Sequence, residues 1–387
     1  MHQSVNIKKM NSFLSSTKAA LTELTSQFGK YKNKPIHLAI GNQACDLDSC
    51  VSAVSYAWMK SKLTPGILHV PVMNLKRNLF RLRTEVNYIF KELSVEPEHI
   101  VFLYDLNLSL FKKLSKDDLT ITLLDHHFIQ TSNPLIELKS YVTEIIDHRP
   151  INHDIPPTIE TNIYQVGSCS TLIAEKMLQH LNRDELIPEI ITLTFGSILV
   201  DTDNLTADGK VTSRDVNVVE LLLQKSNRNK RDLNALYTSL AKAKFSIEGL
   251  NAHEMLLKDP KIIENPSNTF RVMFSTLHQD QNSFFQREDA KAAILSNLET
   301  QNLQSWISLS SVSIDHEGHK YKPIAVHCPN DEQRERITTA LIEAESLDIG
   351  LDTDCSERFN YCIFLRMYNC KATRKQLLPV VDNLLQS

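Results

Sequence analysis

Between residues 35 and 205 the chain repeats one pattern: a short run rich in Ile, Val and Leu, apolar on both faces, then a helical segment. The runs are "PIHLAIG" (35–41), "GILHVPVM" (66–73), "HIVFLYD" (99–105), "LTITLLD" (119–125) and "YVTEIID" (141–147). A strand with one wet face alternates polar and apolar residues, whereas a strand covered on both faces does not. The pattern therefore predicts an α/β domain over residues 1–224, a parallel sheet between layers of helix. "SCVSAVSYAWMKS" (49–61), "STLIAEKMLQHL" (170–181) and "IPEIITLTFGSILVDT" (187–202) read as helices. The polar, poorly periodic stretch 225–240 is expected to be a linker. Strand-like runs at 269–278, 305–314, 322–328 and 361–368 then alternate with helical ones near 283–298, 331–345 and 376–386, predicting a smaller α+β domain over 241–387.

At 387 residues the chain exceeds one ordinary core, in keeping with two domains. A formal charge of −4 supplies no broad basic field, which argues against a nucleic-acid polymer as partner. No apolar run approaches the roughly 20 residues that span a bilayer, so no membrane partner is expected. The seven cysteines are odd in number and scattered without a C-x-x-C pair, a pattern of reduced thiols. The first 28 residues carry Lys and Ser but no Arg, and their apolar positions follow helical spacing. They read as the first amphipathic helix of a cytoplasmic protein, the alternative being a mitochondrial presequence. The nine glycines form neither G-x-G-x-x-G nor G-x-x-x-x-G-K, so glycine cradles for nucleotides are absent.

Ligands of an open parallel sheet bind beyond the carboxyl ends of its strands, and here acids collect at those ends. The first strand leads into "GNQACDLDSC", with Asn42, Asp46 and Asp48. The third ends on Asp105, the fourth on Asp125-His126-His127 and the fifth on Asp147-His148-Arg149, while Asp201 closes an apolar helix. One such acid is ordinarily a helix cap or turn residue. Several brought together without cations would repel each other and lose solvation, so the collection predicts divalent metal. Oxygen ligands with one or two imidazoles suit Mn²⁺ or Mg²⁺ better than zinc. On this reading strand 119–125 presents His126 as a ligand and His127 to the substrate, with Asp125 orienting them. Arg374 and Lys375 stand just before an expected helix whose Pro379 belongs in its first turn. Cations oppose the dipole there unless an anion lies between them and the free N–H groups. Arg77 and Arg83 are candidates for substrate contact or for an exposed helix face. Lys242 and Lys244 could reach phosphate or line a plain charged helix; Ser168 and Ser170 could steer phosphate or cap a helix.

In this order "GNQACDLDS", "LYD", "LLDHH", "IIDHRPI" and "VGSCST" resemble the animal prune proteins of the DHH phosphoesterase superfamily. More distant relatives are family II inorganic pyrophosphatases and short-chain exopolyphosphatases. "AKAKFSIEGLNAHEMLLKD" (241–259) and "ATRKQLLPVV" (372–381) resemble the opening and closing motifs of the DHH-associated second domain. The resemblance implies a DHH-type metal domain followed by a substrate-binding one. It implies two divalent cations on Asp46, Asp48, Asp105 and Asp201, with Asp105 bridging, His126 joining them and His127 contacting phosphate or serving as acid. Asn42 stands where the pyrophosphatases carry a metal-binding histidine, which shifts metal preference toward Mg²⁺. Arg149 and His148 are assigned to the substrate with Arg374 and Lys375. The implied reaction is hydrolysis of phosphoanhydride bonds in short polyphosphate or pyrophosphate, with a metal-bound water as nucleophile. The alternatives are a cyclic nucleotide phosphodiesterase, or a catalytically weak scaffold for unidentified protein partners. Every expected carboxylate is present, and the chain stops soon after the second domain, which favours the hydrolase.

Overall fold

The computed structural model describes residues 3–26, 35–267 and 269–386, with side chains from residue 9 onward. The chain forms two compact units, Met1–Lys244 and Phe245–Ser387. No helix among the described residues is long and apolar enough to cross a membrane.

The first unit is built on a parallel sheet of β1 (Ile36–Ile40), β2 (Leu68–Met73), β3 (Val101–Phe102), β4 (Leu119–Leu124), β5 (Val142–Asp147) and β6 (Glu160–Ile163). Their order in space is β3-β2-β1-β4-β5-β6. Every residue of β1 and β2 is buried, as apolar runs without alternation require. Helices Leu47–Leu63, Cys169–His180 and Pro188–Asp201 cover one face through Val51, Val54, Ile173 and Leu193. Phe111, Leu135 and Leu138 cover the other with Leu21 and Leu24 of the amino-terminal helix Gln3–Ser26. That helix takes the amphipathic role read from its spacing; position 28 lies outside the described residues.

Three details depart from the sequence reading. The third strand is only two residues long and gives way to a 3-10 turn at Leu103–Asp105. β6 escaped the reading because its residues are half-buried or exposed at a sheet edge. The stretch 225–240, expected as a linker, carries most of helix Lys230–Phe245. Its polar composition conceals a stripe of Leu233, Leu236, Tyr237 and Leu240 that packs on the first unit's core.

The second unit holds a mixed sheet of β7 (Pro260–Glu264), β8 (Arg271–Leu277), β9 (Ser305–Ser310), β10 (Ser313–Ile314), β11 (Lys320–His327), β12 (Ile349–Leu351) and β13 (Ile363–Met367). The order is β12-β13-β11-β9-β8-β7, with β10 paired to β11, and β8–β9 is the parallel pair. Phe274, Ile307, Ile324, Val326 and Leu365 pack with Ile337 and Leu341 of helix Asp331–Ile342 and Leu377 and Val381 of helix Arg374–Gln386.

Candidate metal centre

The strand order decides which acids can meet. β1 and β4 are neighbours at the centre of the sheet, where the order of strand addition reverses and a crevice opens beyond their carboxyl ends. Gly41 starts the turn after β1: a Cβ there would lie 2.2 Å from Ser49 Oγ and 2.8 Å from Ser49 O, so only glycine lets this turn lie against helix Leu47–Leu63. Asp46 caps that helix, its Oδ1 accepting from Ser49 N at 3.1 Å. Asp48, in the first turn, points into the crevice.

Asp48 is held by five donors: Ser168 Oγ (2.7 Å), Cys169 N (2.7 Å), Ser170 N (2.8 Å), Ser170 Oγ (2.7 Å) and Ser197 Oγ (3.0 Å). Burial opposes its charge, but the His148 imidazolium and the bonds from Ser168 and Ser170 win and hold it at about 2. Across the crevice Asp125, 1% exposed, has a φ of 60° that turns the chain sharply off β4. Its carboxylate faces Asn42 Nδ2 (2.6 Å), Arg149 Nη2 (2.6 Å) and His148 Nε2 (3.3 Å). Burial and then the charge of Asp48 push Asp125 well above the ordinary carboxylate range. His148 Nδ1 donates to Val166 O at 3.0 Å, aiming Nε2 at Asp125 and, at 3.9 Å, at Asp48. Burial opposes the charge of His148, yet the two carboxylates raise it to about 9. Asp201 closes helix Pro188–Asp201 beside them; burial and then the charges of Asp48 and Asp46 push it well up, against Lys210.

This arrangement fits a divalent cation. One ligand atom each from Asp48, Asp125 and His148 lie within 4.8 Å of one another. Two neighbouring carboxyls, Asp125 and Asp201, are driven toward protonation first by burial and then by the crowding of like charge, both of which a bound cation offsets. Carboxylates with one imidazole, itself oriented through its other nitrogen, are the donor set of a hard divalent ion such as Mn²⁺ or Mg²⁺.

Several expected roles change. Asp105 lies after β3 at the sheet edge, three strand spacings or about 14 Å from β4. Its carboxylate pairs with Arg77 (Nη2 at 2.6 Å), whose Nε also donates to it at 2.8 Å, so neither residue is brought to the cluster; Asp125 occupies the position expected of Asp105. The imidazole of the cluster is His148, not His126. His126 Nδ1 donates to Leu124 O at 3.0 Å, and its buried Nε2 has no partner. Burial lowers His126 to about 4, leaving it neutral. Asn42 meets Asp125 as a donor, because its amide oxygen accepts from Cys45 N at 3.2 Å. Asp125 does not orient His127: that imidazole sits with Nδ1 2.5 Å from Asp147 Oδ2 and Nε2 2.7 Å from Asn152 Oδ1. Arg83 Nε donates to Ala44 O at 2.5 Å, bracing the turn after β1.

Arg374 and Lys375 open helix Arg374–Gln386 rather than preceding it, and Pro379 lies inside that helix, past its first turn. The anion that the cation at this terminus called for is within the second unit: Arg374 Nη2 pairs with Asp259 Oδ2 at 2.8 Å. Ser168 is both a cap and a donor to Asp48. Asp147 stood in the strand-end series but had no assigned role, and Ser197, one of three hydroxyls with Thr192 and Thr194 in an otherwise apolar helix, offered no usable signal.

Residues 238–384 match the DHHA2 domain family. The protein named exopolyphosphatase PRUNE1 in Homo sapiens is 30% identical over 385 residues, covering 98% of this chain and 80% of that protein. The chain belongs to the prune family of DHH phosphoesterases. The prune relative of Bos taurus matches to the same extent, 30% over 385 residues with the same coverage. A putative exopolyphosphatase of Schizosaccharomyces pombe is 28% identical over 268 residues, 65% of this chain and 67% of that one. A putative family II inorganic pyrophosphatase of Methanococcus jannaschii shares the fold, with a TM-score of 0.53 at 17% identity over 90% of this chain and 98% of that chain.

Proposed function

We propose that this prune-family chain is a phosphohydrolase that uses divalent cations, Mn²⁺ or Mg²⁺, to cleave phosphoanhydride bonds of short polyphosphate or pyrophosphate. The observation that carries the reading is the convergence of Asp48, Asp125 and His148 within 4.8 Å at the switch point of the sheet. The exopolyphosphatase names of its relatives supply the substrate class. Asp46, Asp48, Asp125, Asp201 and His148 would hold two cations. Bound there, such ions neutralise phosphate charge and make water a competent nucleophile near neutral pH.

The remaining roles belong to the chain itself. Asp48 is kept ionised by the His148 imidazolium and by its hydrogen-bond donors, so one ligand is preformed before any ion arrives. Asn42 Nδ2 fixes the orientation of Asp125. Arg149, which pairs with Asp125 at 2.6 Å and is 45% exposed, is free to turn to phosphate once that carboxylate has another counter-charge. Asp147 holds His127 through Nδ1, and Nε2, now 2.7 Å from Asn152 Oδ1, is the atom that passes a proton to the leaving oxygen once substrate displaces that amide.

Phosphate release from tripolyphosphate and pyrophosphate, measured with Mg²⁺, Mn²⁺ and Co²⁺, tests the reading. Asp125→Asn is expected to lower turnover on the order of 10³-fold, equivalent to about 4 kcal/mol. Undiminished turnover in that variant, or faster turnover of cyclic AMP than of tripolyphosphate, would reject it.

A further inference from the structure

Two cysteines bracket the aspartates that follow β1, in the order Cys45-Asp46-Leu47-Asp48-Ser49-Cys50. The fold brings their sulfurs face to face, Sγ to Sγ 3.3 Å. Both are free thiols, each 1% exposed. A disulfide bond is about 2.05 Å long, so the pair stands about 1.2 Å from bonding. The backbone already folds back on itself here. Cys45 has a φ of 49°, and Cys50, in the first helical turn, directs its Sγ to Cys45 O at 3.3 Å.

We propose that Cys45 and Cys50 are a redox switch: hydrogen peroxide joins them in a disulfide whose ring encloses Asp46 and Asp48 and draws both carboxylates out of register with Asp125. The turn cannot absorb the closure alone. It is pinned by Gly41 against Ser49, by Cys45 N on Asn42 Oδ1 and by Arg83 on Ala44 O. The pull therefore falls on the first turn of helix Leu47–Leu63, where Asp48 sits, and on the Asn42 amide that holds Asp125. Exposed Ala44, next to Cys45, marks the side from which oxidant enters when the turn opens.

The chemistry balances. The Cys45 sulfur attacks one peroxide oxygen, the O–O bond breaks, and the departing hydroxide takes the thiol proton, leaving a sulfenic acid and water. The Cys50 sulfur then attacks the sulfenic sulfur, the S–O bond breaks, and hydroxide leaves with the second thiol proton as water. Two thiols lose two electrons, and one peroxide becomes two waters.

The loss of turnover expected below rests on the phosphohydrolase reading, whereas the disulfide and ion uptake do not. The full-length chain, with half-buried Cys355 and Cys370 changed to serine to remove competing thiols, is treated with hydrogen peroxide. The peptide spanning 45–50 should lose about 2 Da and resist iodoacetamide. Mn²⁺ uptake by calorimetry and phosphate release from tripolyphosphate should both fall by at least about tenfold and return with dithiothreitol. Adding Cys50→Ser should keep both after peroxide. The switch is overturned by a disulfide that leaves Mn²⁺ uptake unchanged, by equal inactivation of the Cys50→Ser chain, or by residues 45–50 staying unpaired. A reduced chain that binds Mn²⁺ without releasing phosphate refutes the phosphohydrolase reading instead, and ion uptake alone then decides the switch.

Discussion

The crowding of charge at the centre has a thermodynamic signature in protein stripped of metal by a chelator. Asp125 and His148 lie 3.3 Å apart, the carboxylate 1% and the imidazole side chain 11% exposed. Folding raises both: Asp125 well above its ordinary value, His148 to about 9. A group raised on folding contributes stability below its unfolded value and loses it as pH climbs through the folded one. Near neutrality the folded pair keeps one proton that the unfolded chain has released. Between the ordinary histidine value of about 6.5 and the folded value of about 9, the metal-free protein should therefore lose stability steadily with pH, on the order of 3 kcal/mol in all. Asp48, held at about 2, contributes in the opposite sense but only in strong acid, its stability vanishing as pH falls toward 2. Asp125→Asn removes the carboxylate that most raises His148 and should flatten the slope across this window. Urea unfolding followed by Trp58 fluorescence in the first unit and Trp306 in the second measures it at each pH. Mn²⁺ at a hundredfold excess over its Kd should add about 2.7 kcal/mol to the native chain and little to the variant. A metal-free native chain whose stability is flat or rises from pH 6.5 to 9 would refute the charge-crowding argument on which the metal assignment stands.

Asp105→Ala should leave tripolyphosphate turnover within about tenfold of native, since Asp105 is tied to Arg77 at the sheet edge; a loss as large as that of Asp125→Asn would restore its bridging role. Gly41→Ala should destabilise the first unit by about 1–3 kcal/mol, because its Cβ meets backbone 2.8 Å away at Ser49 O, and urea unfolding reads this directly. His127→Gln should lower kcat for tripolyphosphate by about 10²-fold or more, read by phosphate release. Asp147→Asn should lower kcat while leaving KM for tripolyphosphate nearly unchanged, as expected of a residue that acts through the imidazole.

The central strands were legible because burial on both faces leaves an unbroken apolar run, as in β1, β2 and β4. Edge strands were not: β6, β7 and β12 keep exposed positions and have too little apolar signal. The acids at the strand ends were visible as a set, yet their partners depend on strand order, which chain order does not encode. β3 follows β2 in sequence and lies outside it in space, so Asp105 is carried away while Asp125, on the strand beside β1, arrives. The exchange of His126 for His148 has a similarly local cause. The left-handed turn at Asp125 directs His126 Nδ1 back to Leu124 O, whereas Val166 O receives His148 Nδ1 and frees Nε2 for the crevice. The sequence places Arg374 where a substrate phosphate is expected, whereas in the structure it pairs with Asp259, 115 residues away in sequence and beyond what local reading can pair.

The cradle around Asp48 draws donors from two segments well over a hundred residues downstream, the start of helix Cys169–His180 at Ser168 to Ser170 and Ser197 late in helix Pro188–Asp201. A nascent polypeptide therefore cannot complete this pocket until residue 201 has cleared the ribosome, although its first aspartates emerged long before. Until then Asp46 and Asp48 face water as ordinary solvated acids, and affinity for cations should switch on abruptly, late in synthesis of the first unit and ahead of the second.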